Sequence, residues 1–276
     1  MGVEIVVRPW ADLVFHVLAH VSSSTPASVY DPAYVEFAAR YLGAPEARPL
    51  GADVRALAAF ATNHARYAAL QGVAWLFASI EEDERTRERD LSALGAADVA
   101  DPALLGALRG IGPAVEVLRC AAELEAEAHA RLPAFELDRA TLEVALESVG
   151  RAAPALAGYR LGIVRSLRLR GRVRDGEIWI GAPGAEPGPE LFHVAWQAAH
   201  EATVDELART LETPRADDRP VESAALVLLA ERAAGAGLAD EHAAWFSHFG
   251  LDRSVLELSS QPSPWRDGIC ALLAKR

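Results

Sequence analysis

Two histidines on the first predicted helix have the spacing of a chelating pair. The N-terminal residues predict a short strand, Val3–Val7, and then a helix from Trp10 to His20. His16 and His20 are one helical turn apart, so their rings project from one face, about 6 Å apart along the axis. Two imidazoles at this spacing can bind one divalent ion. The alternative is a pair of core histidines, each hydrogen-bonded to a neighbour.

A second candidate is the pair His200-Glu201, inside a predicted helix Glu190–Leu211. In the zinc-binding motif His-Glu-x-x-His, the two histidines bind the ion and the glutamate activates water. The run here is His-Glu-Ala-Thr-Val, so Val204 stands where the second histidine is expected. His193 does not easily replace that ligand, because it lies about 10 Å from His200 along the helix axis.

A β-hairpin is predicted at Leu167–Ile180, because Asp175-Gly176 is a strong two-residue turn between alternating segments. Folding about this turn places Arg172 opposite Trp179 and gives the hairpin two distinct faces. We expect the face with Arg172 and Trp179 to be a solvated surface or, alternatively, a substrate-binding strand for an acidic or extended ligand. The apolar face holds Leu169, Val173, Ile178 and Ile180, and the other holds Arg170, Arg172, Arg174, Glu177 and Trp179.

The order of elements between about Gly171 and Glu231 is an edge strand, a His-Glu helix and a helix that begins near Glu222. This order resembles that of the zincin-like metallopeptidases of the gluzincin type. The chain resembles a bacterial protein of this type whose His-Glu-x-x-His motif is incomplete. In that family the edge strand binds extended substrate and a later helix carries a glutamate ligand. The resemblance implies that His200 is a metal ligand, Glu201 the general base and Glu222 a third ligand.

Three functions are compatible with these residues. In the first, the protein is a metal-dependent hydrolase resembling a zinc metallopeptidase, active or inactive, in which His16 and His20 replace the missing ligand beside His200. The ion is then zinc or another divalent transition metal, and a metal-bound water attacks a peptide or related amide. In the second, the protein is a non-catalytic helical interaction protein, a pseudoenzyme. In the third, it is a helical metalloenzyme of other chemistry that uses His16 and His20 with carboxylates from facing helices.

Composition excludes several other classes. The 276 residues are 51% hydrophobic, which excludes wholesale disorder, and the formal charge of -12 argues against binding to nucleic acid or an anionic membrane. Two cysteines fit a reducing compartment, and no segment is long and apolar enough to span a membrane, so we expect a cytoplasmic protein. The hairpin strand is the expected site for a peptide or protein partner. The sequence does not indicate an oligomeric state.

We predict a mainly α fold with a small β-sheet, an α+β class, in which Val3–Val7 and the hairpin lie beside a zincin-like helical array. The chain is treated as a single domain 1–276, which can be subdivided into a helical half 1–150 and a hairpin and His-Glu half 151–276. His129 is expected to be a surface or packing residue, and His242 and His248 are expected in capping or surface roles. Other predicted helices are Asp31–Leu42, Ala52–Ser79, Pro102–Arg109, Pro113–Arg131, Asp138–Ser148, Val221–Ala234, Ala239–Phe249 and Pro264–Ala274.

Overall fold

The computed structural model describes residues 2–6, 9–21, 30–79, 106–107, 109–133, 137–167, 171–174, 176–181, 189–211, 218–248 and 263–274. The protein is mainly helical with one small sheet, which confirms the predicted α+β class. The predicted helix Pro102–Arg109 lies largely outside the described residues. No helix in the described ranges is long and apolar enough to cross a bilayer.

The chain divides into two compact units. The helical unit comprises residues 7–136 and 164–168, and the sheet unit comprises residues 1–6, 137–163 and 169–276. In chain order the elements are β1 Glu4–Val6, α1 Pro9–Ala19, α2 Pro32–Leu42, α3 Leu50–Phe60, α4 His64–Ser79, α5 Gly112–His129, α6 Arg139–Gly150, β2 Arg160–Val164, β3 Gly171–Arg174, β4 Glu177–Gly181, α7 Pro189–Thr210, α8 Asp218–Gly235, α9 Ala239–His248 and α10 Ser263–Leu273.

In the helical unit, α1 is the buried central helix. Every residue from Leu13 to Leu18 is buried, because the run is apolar all round except for His16. The helix α1 packs against α4 and α5, and α3 also packs against α5. This packing carries His16 into the interior of the unit.

The predicted helix Ala52–Ser79 was wrong, because the structure breaks it into α3 and α4. The break falls at residues 61–63, where the side chain of Asn63 accepts a hydrogen bond from the backbone N–H of Arg66 at 2.9 Å. Asn63 therefore caps the first turn of α4, as a short polar side chain at a helix N-terminus does. The helix Asp31–Leu42 was predicted correctly: Asp31 accepts from the N–H of Ala33, and the helix ends at Gly43 with φ 78°.

The sheet has the strand order β1-β2-β4-β3, in which β1 and β2 are parallel and β3 and β4 are antiparallel. The observed pairing of Arg172 with Trp179 and of Gly171 with Ile180 confirms the predicted hairpin register. The strand β2 was not predicted. It lies beside β4 and therefore makes β4 an interior strand.

The expected exposure of Trp179 and Glu177 was wrong. Trp179 is 1% exposed and Glu177 is 3% exposed. The additional strand β2 makes β4 an interior strand, and the ring of Trp179 lies against Gly162 of β2. Glu177 forms an ion pair with Arg160 of β2 at 2.6 Å. Trp179 is consequently a core residue and not an exposed contact for substrate. Arg172 lies on β3, which is an edge strand of the sheet.

Gly162 provides the space that the Trp179 ring occupies. A Cβ atom at Gly162 would lie 2.6 Å from Cε3 of Trp179 and 2.9 Å from two further ring atoms. We expect Gly162→Ala to lower the free energy of unfolding by about 2 kcal/mol, because a rigid buried ring must move. Urea denaturation measures this change. The control is Gly150→Ala, where a Cβ meets nothing within 4 Å, and equal stability of the two variants would contradict the prediction.

Candidate functional site

The centre of the candidate site is His16, which is fully buried in the helical unit. Its Nδ1 atom lies 2.8 Å from the hydroxyl oxygen of Tyr34 on α2, and its Nε2 atom lies 3.4 Å from Oε1 of Glu125 on α5. When the proton of the ring is on Nε2, this N–H donates to the carboxylate of Glu125, and Nδ1 accepts a hydrogen bond from the hydroxyl group of Tyr34. Burial lowers the pKa of His16, although Glu125 acts in the opposite direction. His16 is therefore a neutral imidazole with a fixed orientation.

Glu125 also forms a buried ion pair with Arg48, which precedes α3. Nη1 of Arg48 donates to Oε1 of Glu125, and the two side chains are 11% and 4% exposed, respectively. The Nε and Nη2 atoms of Arg48 are buried and have no hydrogen-bond partner among the described residues. One carboxylate thus holds both an arginine and the central histidine.

His20 lies next to this centre and is poorly satisfied. Its ring centroid is 4.9 Å from that of His16, and only 8% of the residue is exposed. In the described part of the chain neither ring nitrogen of His20 has a hydrogen-bond partner. Burial lowers the pKa of His20 to about 3, with smaller contributions from His16 and Arg48. His20 therefore presents neutral imidazole, the form that binds metal.

On the other side of His16 a second network holds His129, the last residue of α5. The rings of His16 and His129 have centroids 5.0 Å apart, and Nε2 of His129 lies 3.4 Å from Oδ2 of Asp12. Arg165 donates from its backbone N–H and from Nε to the two oxygens of Asp12, both at 2.9 Å. Burial acts to raise the pKa of Asp12, but His129 and Arg165 hold it below its ordinary value. His129 is therefore a packing residue beside His16, which is one of the two roles expected for it.

The sheet unit holds the other predicted site residues. His200 is 8% exposed, its ring centroid is 5.9 Å from that of Trp245, and its Nδ1 is 4.0 Å from Oε1 of Glu201. Glu201 accepts a hydrogen bond from Gln197 at 3.0 Å. Glu222 is exposed on α8. Because His16 and His20 belong to the helical unit, the site that they were predicted to share with His200 stays a prediction.

Val204, at the position of the missing histidine, is part of an apolar cluster. It is 5% exposed and packs with Ala208 of its own helix and with Val221 and Ala225 of α8. Val204 therefore contributes to the apolar packing of α7 against α8. The gluzincin-type site stays a prediction.

His242 of α9 is buried, so its expected surface role was wrong. The residue is 3% exposed, and its ring contacts the rings of Trp196 and Phe246. Its Nε2 atom has no hydrogen-bond partner among the described residues. The apolar side of α9 faces α7, and this packing carries the ring inside.

The pH dependence of stability should report this buried ring. Burial lowers the pKa of His242 from 6.5 to about 4, so between these pH values the unfolded chain binds more protons than the folded chain. The free energy of unfolding therefore falls as the pH falls through this window, by up to about 1.4 kcal/mol per pH unit. We expect His242→Leu to remove this contribution in urea denaturation from about pH 7 to about pH 5. An unchanged slope would contradict the assignment.

Sequence reasoning missed most partners of His16. Tyr34, Arg48 and Glu125 come from three other elements, and Tyr34 and Glu125 lie 18 and 109 residues away from His16. One signal was available: Glu125 and His129 are one turn apart on α5, as His16 and His20 are on α1. Two such pairs on helices that pack together indicate a shared site.

Comparison with protein-family models, with curated proteins and with solved structures gave no match to this chain.

Proposed function

We propose that the protein binds one divalent transition metal ion, zinc or a similar ion, through His16, His20 and Glu125 of the helical unit, and that it is a metal-dependent hydrolase. The observation that carries the proposal is His20, a buried imidazole with two unpartnered nitrogens beside a histidine–carboxylate pair. Burying a polar ring without a hydrogen bond costs roughly 1–3 kcal/mol. A bound ion offsets that cost, and the neutral form of His20 is ready for it.

The separations between these side chains support a common ion. Bonds of 2.0–2.1 Å in tetrahedral geometry place two ligand atoms roughly 3.3 Å apart and two imidazole centroids roughly 5 Å apart. Nε2 of His16 is 3.4 Å from Oε1 of Glu125, and the centroids of His16 and His20 are 4.9 Å apart. As the side chains are placed, no three His, Cys, Asp or Glu residues in the described ranges form a group that could hold an ion. The proposal therefore requires His20 to turn towards the pair.

Tyr34 and Arg48 have supporting roles in this proposal. A ligating histidine donates its other ring N–H to an orienting partner. When His16 binds the ion through Nε2, its proton is on Nδ1 and is donated to the hydroxyl oxygen of Tyr34, 2.8 Å away. Arg48 balances the charge of Glu125, and its Nη1 donates to the same Oε1 that faces Nε2 of His16, so in this proposal Oε1 would serve both the arginine and the ion.

The number of ligands supports the reaction class. Three protein ligands leave a fourth position for water, which is the arrangement of hydrolytic zinc sites, where the ion lowers the pKa of that water. The buried environment of Val204 supports a non-catalytic role for His200, Glu201 and Glu222. In this proposal the sheet unit is the part of the chain that resembles a zincin, and it does not bind the ion. The low cysteine content favours a cytoplasmic location.

Calorimetric titration with zinc tests the site. We expect the wild-type protein to bind one zinc ion per chain, His20→Ala to lose that binding, and the matched control His200→Ala to keep it. The side chain of His20 makes no hydrogen bond among the described residues, so its replacement leaves the network of His16, Glu125 and Arg48 in place. Equal zinc binding by His20→Ala and the wild type would overturn the proposal.

A further inference from the structure

Two histidines of the sheet unit lie side by side where α7 and α9 meet. The ring centroids of His193 on α7 and His248 on α9 are 4.2 Å apart, and the ring planes are tilted by 34°. His248 is the last residue of α9 and is exposed, whereas His193 is half-buried. The proposed metal site of the helical unit involves neither residue.

The packing of α7 against α9 explains why the two rings meet. Trp196 lies about one helical turn after His193 on α7. Trp245 lies about one turn before His248 on α9, and the two tryptophan rings are stacked with centroids 6.2 Å apart. The ring of His242 lies in the same contact, with its centroid 5.2 Å from that of Trp196. These three rings are buried, so the histidine pair at their edge is built on two well-packed helices.

His193 has the protonation state that a metal ligand requires. Its Nδ1 atom is buried and has no hydrogen-bond partner among the described residues. Burial, together with the neighbouring His248, lowers the pKa of His193, so its imidazole is neutral near pH 7. Neutral imidazole is the form that binds a divalent ion. Because His248 is exposed, an ion can reach the pair from solvent, and water can complete its coordination.

The spacing of the rings favours an ion that binds its ligands at right angles. Metal–nitrogen bonds of about 2.0 Å at about 90° place two imidazole centroids roughly 4.4 Å apart, whereas tetrahedral bonds place them roughly 5 Å apart. The observed separation of 4.2 Å is closer to the first value. Square-planar or tetragonal coordination by nitrogen and oxygen is typical of Cu(II), which is also the divalent first-row ion that such ligands bind most tightly. Chelation requires the exposed ring of His248 to turn one nitrogen towards the ion.

We propose that His193 and His248 bind one Cu(II) ion, with water in its remaining coordination positions. No group of three His, Cys, Asp or Glu residues in the described ranges could hold an ion, so this is a site with two protein ligands. It holds zinc more weakly than copper and more weakly than a site with three protein ligands. The zinc stoichiometry expected for the helical unit is therefore unaffected.

Electron paramagnetic resonance of the His20→Ala protein with one equivalent of Cu(II) tests the assignment, because this variant lacks the proposed site of the helical unit. We expect a copper signal with two nitrogen ligands. Addition of His193→Ala or His248→Ala to this variant is expected to lower the copper affinity at least tenfold in calorimetry. Ser247→Ala, at the exposed position before His248, is the matched control and keeps the affinity. Because His248 is exposed, its replacement leaves the fold intact, which circular dichroism verifies.

Three outcomes would overturn the proposal. They are no copper binding by the His20→Ala protein, a copper signal with fewer than two nitrogen ligands, and equal copper affinity with and without His248. The last outcome would show that the copper is bound elsewhere on the protein. Zinc binding by the helical unit is measured separately, so failure of one proposal does not imply failure of the other.

Discussion

Glu125→Gln is expected to lower the free energy of unfolding by about 3–5 kcal/mol, because it breaks a buried ion pair. Arg48 is 11% exposed and loses the carboxylate charge that pairs with it among the described residues, so an uncompensated charge stays buried. His16 loses the carboxylate that orients Nε2. Urea denaturation of the metal-free protein measures the change.

Two further variants make this result specific. Glu127→Gln removes an exposed carboxylate from the same helix, and we expect it to change stability by less than about 0.5 kcal/mol. The double variant Arg48→Met with Glu125→Leu removes both charges and is expected to recover most of the loss, because a buried pair is often replaceable by apolar groups. If Glu125→Gln is as stable as Glu127→Gln, the buried pair of Arg48 and Glu125 does not contribute the predicted stability.

Val204→His, which restores the complete His-Glu-x-x-His motif, is expected to destabilise the sheet unit without creating a zinc site. The new imidazole would enter the apolar cluster of Val204, Ala208, Val221 and Ala225. We expect a loss of roughly 3 kcal/mol from the buried polar ring and the added volume. Urea denaturation and zinc titration measure the two parts of the prediction.

The matched control for this substitution is Thr210→His, at an exposed position near the end of the same helix. It is expected to keep wild-type stability. If Val204→His instead folds normally and gains one zinc ion that His200→Ala removes, the gluzincin-type interpretation of this helix is correct and the present one is wrong.

Local features were predictable from the sequence. The turn Asp175-Gly176 and the alternation around it determine the register of β3 and β4, and both signals lie within a few residues. The facing rings of His16 and His20 follow from their spacing on one helix. The N-cap Asp31 and the terminal Gly43 define α2 in the same way.

Long-range features were not predictable. The burial of Trp179 depends on β2, which pairs beside β4 and leaves space for the ring at Gly162. The break between α3 and α4 was missed because the alanine-rich segment continues on both sides, although Asn63 is a recognisable cap. Glu125 joins His16 through the packing of α5 against α1. The one-turn spacing of Glu125 and His129 places both on one face of α5, but it does not predict which helix that face contacts.

The metal content of the purified protein decides whether His16 and His20 bind an ion. Mass spectrometry of protein purified without an affinity tag and incubated with zinc is expected to give close to one ion per chain for the wild type and for His200→Ala. His16→Ala and His20→Ala are expected to give none. No metal in the wild type, or one ion in either of these two variants, would contradict the assignment of a metal site to the first helix.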